Sequence, residues 1–215
     1  MHPFPLILIT SPEDFSDEHV LIEAMFRRGL ERLHLRKPRK DLHAMEKWIF
    51  ELDPEFREHI VVHGHVELCD SFGLAGVHGV DSKSMHSFAE LHAYNVPCSY
   101  AFLSPIYDSN SKLGYNAAFS EEEIKKGIAD WRAKPGHPVQ KLFALGGVDA
   151  FNLAQLVDWG FDGAAILGAV WNAANPLGAW DALHAARHEA MGLIAPDMPA
   201  IESWREVLVQ RRGGT

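Results

Sequence analysis

Cations, hydroxyls and glycines stand at the ends of four short apolar runs in this chain: residues 34–38 (HLRKP), 104–112 (SPIYDSNSK), 144–148 (ALGGV) and 166–170 (ILGAV). The combination suits the holding of phosphate groups. Arg36 offers a planar fork and Lys37 a point charge. Ser109, Ser111 and Lys112 put two hydroxyls and a cation into one short loop. At Gly146, Gly147 and Gly168 main-chain N–H groups can approach an anion closely, with the positive end of a following helix behind them. Each motif also has a plainer reading. A glycine pair makes a tight strand-to-helix turn, and Asp-Ser-Asn-Ser is a generic turn held by Asx-type hydrogen bonds.

Histidine is the second chemistry-bearing type. His34, His63, His78 and His86 each fall at or just after an apolar or strand-like run. Strand side chains alternate, so if Leu33 and Leu35 face outward, His34 and Arg36 face inward. Imidazoles gathered at strand ends are the ligands of metal-dependent hydrolases. The alternative is a set of hydrogen-bonded core histidines, and a His-x-His pair occurs only as His63-Gly64-His65, with no evident carboxylate ligand.

The elements that must position these groups follow from periodicity. Apolar runs over 5–10, 32–36, 59–63, 76–80, 98–106, 141–147 and 163–170 read as strands, as does the run 84–87. Helical spacing is found over 17–28, from Leu42 to Ile49, and over 65–72, 88–94, 120–133, 150–159 and 177–190. Glu121, Glu122 and Glu123 suit the first turn of their helix through its dipole. Eight strands with helices between most of them predict a single α/β domain, a (β/α)8 TIM barrel over residues 1–190. An open doubly wound sheet is the alternative. The barrel is compact, lacks a helix between its fourth and fifth strands, and places its functional groups at the C-terminal strand ends. In the tail, 191–215, Ile201, Trp204, Val207 and Leu208 form an apolar stripe that predicts an extra helix packed on the barrel or on a partner subunit.

The bulk properties narrow the classes. A chain of 215 residues with 47% hydrophobic and 23% charged residues is an ordinary globular chain with one well-buried core. A formal net charge of −9 argues against nucleic acid or an anionic membrane as partner, since both need a basic face. Cys69 and Cys98, each with one apolar neighbour, read as reduced and buried thiols of a cytoplasmic protein. The start, residues 1–14, has neither a basic n-region nor a membrane-length apolar run.

The four runs, with Gly76-Val77-His78, fall in the order seen in the thiamine phosphate synthase / thiazole tautomerase family, and the resemblance covers residues 5–185. It implies a transferase that joins a pyrimidine-methyl diphosphate to a thiazole phosphate, with diphosphate leaving and the thiazole nitrogen capturing a pyrimidine carbocation. By position, Arg36, Ser109, Ser111 and Lys112 would grip the diphosphate, and Ser104 would sit against the pyrimidine. Arg36, Lys112 and Ser104 would then be the catalytic set. Gly146, Gly147, Leu167 and Gly168 would serve the thiazole phosphate, and His34, His63, His78 and His86 would line the pyrimidine pocket. The resemblance also implies Mg2+, small phosphorylated substrates and often a homodimer. Departures are specific. The family has glutamine at His34, and a magnesium aspartate after strand three, where His63-Gly64 stands here. A second such aspartate belongs to the shortened segment after strand four, where Asp81 is the nearest acid. Pro105 replaces the histidine used by the tautomerase branch. The remaining alternatives are a tautomerase-like isomerase or thiamine-precursor-binding protein, and a barrel hydrolase using the histidines.

Overall fold

Eight parallel strands close on themselves in chain order in the computed structural model, which describes residues 4–108 and 117–193. The elements are β1 (Leu6–Ile9), α1 (Glu18–Phe26), β2 (Arg32–Leu35), α2 (Leu42–Glu51), β3 (Ile60–His63), α3 (Glu67–Phe72), β4 (Gly76–His78), β5 (Ser82–Met85), α4 (Phe88–Ala93), β6 (Tyr100–Leu103), α5 (Glu121–Arg132), β7 (Leu142–Leu145), α6 (Leu153–Trp159), β8 (Gly163–Ile166), α7 (Gly168–Trp171) and α8 (Pro176–Ala190). Ring closure pairs Leu6–Leu8 of β1 with Ala164–Ile166 of β8. The fold is the expected α/β barrel.

Side-chain alternation divides the apolar residues into two clusters. Leu6, Leu8, Leu33, Leu35, Ile60 and Val62 point outward into the large core beneath the helices. Ile7, Ile9, Phe102, Phe143 and Ala165 fill the barrel interior instead. A barrel of this size has room only for packed side chains, so large residues need small partners. Gly163 is such a partner: a Cβ there would stand 2.4 Å from the Phe143 ring.

The helices end where their sequences say they should. Ser120 and Glu123 form a reciprocal capping box at the start of α5. Asp41 caps α2, and Gly73 ends α3 in the left-handed region at φ 64°. Trp180 of α8 is fully buried, and ion pairs Arg28–Asp181 and Arg187–Glu31 tie α8 back to the first helical unit.

Three details depart from the sequence-based expectation. The fifth strand is Ser82–Met85, two residues before the anticipated 84–87. Its register against Tyr100–Leu103 turns Ser82 and Ser84 towards His78, and a run as polar as Ser-Lys-Ser-Met carries no apolar alternation to announce that register. A 3₁₀ turn (Pro54–His59) precedes β3, and the short helix α7 follows β8; neither was anticipated. The missing β4–β5 helix is confirmed, since Gly79, Val80 and Asp81 are the whole connection. There the Asp81 carboxylate accepts from Val77 N at 2.8 Å, and Gly79 N donates to Ser82 O at 2.7 Å. With no helix outside it, Lys83 is exposed.

Cys98 is buried, Cys69 half-buried, and both thiols are free. No helix among the described residues is long and apolar enough to cross a membrane. The apolar stripe at 201–208 lies outside the described residues.

Candidate functional site

Three adjacent strands bring three imidazoles together inside the barrel. His34, from β2, is wholly buried, whereas His63 ends β3 and His78 ends β4, both half-buried towards the mouth. His34 Nδ1 and His63 Nε2 lie 2.9 Å apart and share one proton. On its other side His34 Nε2 is 2.5 Å from the Tyr100 hydroxyl. The His63 and His78 rings stack with centroids 4.2 Å apart and planes 16° from parallel. His78 Nδ1 meets Ser82 Oγ at 2.9 Å, and its Nε2 meets Ser84 Oγ at 3.3 Å. One nitrogen from each of the three rings lies within 4.8 Å of the others.

Burial sets the charge of this cluster. Removal from water disfavours imidazolium, and each ring disfavours a charge on its neighbours. His34 is held well below the ordinary histidine range by burial, then by His63 and His78. His63 is pushed down to about 3 by burial, then by His78 and Arg36. His78 is pushed down to about 4 by burial, then by Lys83 and Arg36. Burial raises Tyr100 to about 12, so its hydroxyl keeps its proton. At neutral pH the interior therefore holds three neutral imidazoles.

The two cations of the 34–38 run part company. Arg36 stands one residue past β2 and is exposed at the rim, not turned into the barrel as alternation predicted. Its main chain is pinned to β1, Arg36 N donating to Thr10 Oγ1 at 2.9 Å and Thr10 Oγ1 donating to Arg36 O at 3.1 Å. Lys37 is buried instead, its Nζ donating to Glu18 at 2.7 Å and to Glu13 O at 2.9 Å. Trp48 Nε1 donates to the other Glu18 oxygen at 3.2 Å. Lys37 is thus spent on α1 and the loop before it, and Arg36 alone of the pair is exposed at the rim.

Across the mouth, the loops after β6 and β7 interlock, and the segment after β8 reaches β1. Gly146 and Gly147 have φ of 97° and 66°. A Cβ on Gly147 would come within 2.5 Å of Asp108 O, and one on Gly146 within 3.0 Å of Pro105. Asn152 Nδ2 donates to Gly147 O at 2.9 Å, which braces the turn from the start of α6. Leu167 caps the short helix α7, which begins at Gly168. Trp171 Nε1 at the far end of α7 donates to Ile9 O at 2.7 Å, bringing this helix to the end of β1, next to the Thr10–Arg36 link. Asp108 Oδ1 accepts from Ala117 N at 2.6 Å, which joins the described residues before Ser109, Ser111 and Lys112 to those after them. Those three residues lie outside the described residues.

His86 and Ser104 form a pair of their own at the rim. Ser104 precedes a cis peptide bond to Pro105, and its hydroxyl lies 3.4 Å from His86 Nδ1. His86 is exposed and past the end of β5, so it does not join the other three histidines. Asp81 does not join them either, because its carboxylate closes the β4–β5 turn. Magnesium requires hard oxygen ligands, and the described residues at this cluster offer imidazole nitrogen. This imidazole cluster therefore does not fit the ion that the resemblance implies. Sequence reading missed Tyr100, Ser82 and Ser84 as partners of the imidazoles, and Thr10 and Trp171 as the links across β1. The alternation of β6, which puts Tyr100 on the same side as Phe102, was the available signal for the first.

Comparison with known proteins places these features. The chain is 29% identical to thiamine phosphate pyrophosphorylase from Bacteroides thetaiotaomicron, with a TM-score of 0.69 over 87% of this chain and 98% of that one. Thiamine phosphate pyrophosphorylase from Pyrococcus furiosus is 18% identical, with a TM-score of 0.70 over 88% of this chain and 98% of that one. The 3-hexulose-6-phosphate synthase from Salmonella typhimurium shares the fold at 12% identity and a TM-score of 0.57, covering 86% of this chain and 99% of that one. No family model and no curated protein sequence matches the chain. One fold thus hosts different reactions among these neighbours, and the barrel alone does not select one. Motif order and the superposed structures agree in placing the chain close to one set of barrel enzymes: it is similar to the thiamine phosphate pyrophosphorylases of the thiamine phosphate synthase family.

Proposed function

We propose that the chain is an enzyme of phosphorylated small substrates, of the thiamine phosphate synthase type. It joins a pyrimidine-methyl diphosphate to a thiazole phosphate. The methylene C–O bond breaks, the electron pair leaves with diphosphate, and the thiazole nitrogen lone pair forms the new C–N bond.

One observation carries this reading. The short helix after β8 is bonded to the end of β1, where Arg36 is also pinned, and the glycine turn ends β7, the strand paired with β8. Loops after the last two strands and the start of a short extra helix are the recurrent phosphate site of such barrels. The main chain at Gly146, Gly147, Leu167 and Gly168 then receives the thiazole phosphate. Arg36 is the described cation for the leaving diphosphate, with Ser109, Ser111 and Lys112 as its companions. Ser104, at the rim beside His86, stands by the pyrimidine. His63 and His78, half-buried, form the floor, and His34 lies beneath them out of reach of substrate. Positioned cations and hydroxyls stabilise leaving-group charge, and orientation supplies much of the remaining acceleration.

The test is turnover by purified protein given both substrates, with thiamine phosphate and diphosphate quantified in parallel, with magnesium, with other divalent ions and with EDTA. Equal amounts of both products support the transferase. The imidazole floor favours one second reading, a family member that binds the thiazole phosphate without joining it to the pyrimidine. That reading is supported by absent product together with calorimetric binding of thiazole phosphate. Absence of both sinks the assignment.

A further inference from the structure

The three imidazoles, His34 buried and His63 and His78 half-buried, stand inside the barrel where branched aliphatic side chains are usual. Hydrogen bonds between His34 and His63, His34 and Tyr100, and His78 and Ser82 and Ser84 account for the partners they have, yet three histidines from three adjacent strands is also a complete facial ligand set. We propose that His34, His63 and His78 bind one zinc ion, with its fourth coordination position open towards the barrel mouth.

The geometry is close to what the ion needs. Zinc–nitrogen bonds of about 2.0–2.1 Å in a tetrahedral site put ligand nitrogens roughly 3.3 Å apart. His34 Nδ1 and His63 Nε2 stand 2.9 Å apart already, and one nitrogen from each of the three rings lies within 4.8 Å of the others. Closing the set takes a shift of roughly 1.5 Å and a turn of the stacked His63 and His78 rings, whose planes are 16° from parallel, so that both in-plane lone pairs meet one ion. The two close nitrogens share a proton, which zinc must displace. His34 can carry it on Nε2 and donate it to the Tyr100 hydroxyl, 2.5 Å away. Ser82 Oγ, 2.9 Å from His78 Nδ1, leaves that ring's Nε2 for the metal, with only Ser84 Oγ at 3.3 Å to give way. Tyr100 and Ser82 are then the outer-shell partners that fix ring orientation and tautomer.

The chemistry of the donors selects the ion. Neutral imidazole suits zinc and its transition-metal neighbours, not magnesium or calcium. Three protein ligands and one open position are the pattern of a reactive zinc site, not of a closed structural one. The burial gradient supplies the opening: His34 is fully enclosed, whereas His63 and His78 are half-exposed on the mouth side, where Arg36 provides positive charge. An anionic oxygen or a water is the fourth ligand that this setting takes. The inference stands independently of the proposed transferase.

The experiment uses untagged, full-length protein dialysed against EDTA and then titrated with Zn2+ by calorimetry, and with Co2+ by visible absorption. The expected result is one ion per chain, with the d–d bands of four-coordinate cobalt and no competition from Mg2+. His63→Gln and His78→Gln each weaken binding at least ~10-fold, because a lost ligand costs no less than a lost outer-shell partner. Both positions are half-exposed, and circular dichroism confirms that the variants fold. His86→Gln leaves binding unchanged. No stoichiometric binding, or binding untouched by His63→Gln and His78→Gln, overturns the proposal.

Discussion

Lys37 and Glu18 form a buried ion pair, with Nζ 2.7 Å from the carboxylate and both side chains almost wholly enclosed. The residue before Lys37 is the exposed Arg36, so neighbouring cations of one short run serve opposite ends of the molecule's needs. One holds α1 to the barrel, and the other supplies charge at the mouth.

Lys37→Met should therefore destabilise the fold by about 3–5 kcal/mol, the usual consequence of leaving one member of a buried pair uncompensated. Burial already raises the Glu18 carboxyl above its ordinary range, against the pull of Lys37. Without the lysine, protonation of Glu18 becomes the cheaper state. The loss, measured by urea denaturation, should be larger at pH 8 than at pH 5, and adding Glu18→Gln should recover part of it. An equal loss at both pH values would contradict the pairing.

Arg36→Ala should leave stability within about 0.5 kcal/mol, because the side chain is exposed. If the proposed transfer reaction is correct, the same change should lower turnover by roughly 100-fold through lost stabilisation of the leaving group. Arg39→Ala, also exposed and paired with Glu13, is the matched control and should leave turnover intact.

The apo protein should lose stability on acidification between about pH 6.5, where histidines of the unfolded chain titrate, and the folded values of about 4 for His78 and about 3 for His63. The sign follows from proton uptake. In that window the unfolded chain binds protons that the buried rings refuse, so stability falls as pH falls and is fully regained above pH 6.5. His78→Gln should flatten the dependence of melting temperature on pH. A wild-type melting temperature that stays level from pH 7 to 5 would contradict the burial argument.

Gly147→Ala and Gly64→Ala separate backbone strain from crowding. Both glycines have positive φ, 66° and 79°, which costs an alanine about 1–2 kcal/mol. A Cβ at position 64 meets nothing within 4 Å, whereas one at 147 strikes Asp108 O and Tyr107. Gly147→Ala should therefore be the more destabilising in thermal melts. On the proposed function it should also weaken thiazole phosphate binding, which Gly64→Ala should not.

Most of the architecture was legible along the chain. Helical spacing, capping residues and short apolar runs are local signals, and each of the elements expected within the described residues lies within a few residues of its observed place. β5 was misplaced because Ser-Lys-Ser-Met has no apolar alternation, and its register comes from Tyr100–Leu103 and from His78, partners remote from any local pattern. The short helix α7 was missed because four residues carry no period, and it is held by a hydrogen bond from Trp171 to Ile9 across the whole chain.

What the sequence determined by itself is the order of strands and helices, the absence of a helix between β4 and β5, and the inward face of His34, since these follow from periods of two and 3.6 residues. Only the tertiary structure decided the use of each polar group. It separated Arg36 from Lys37, assigned Asp81 to a turn, left His86 at the rim, and closed His34, His63, His78 and Tyr100 into one buried network. Those choices depend on which side chains meet when eight strands tilt into a ring, and no spacing along the chain encodes a distance across it.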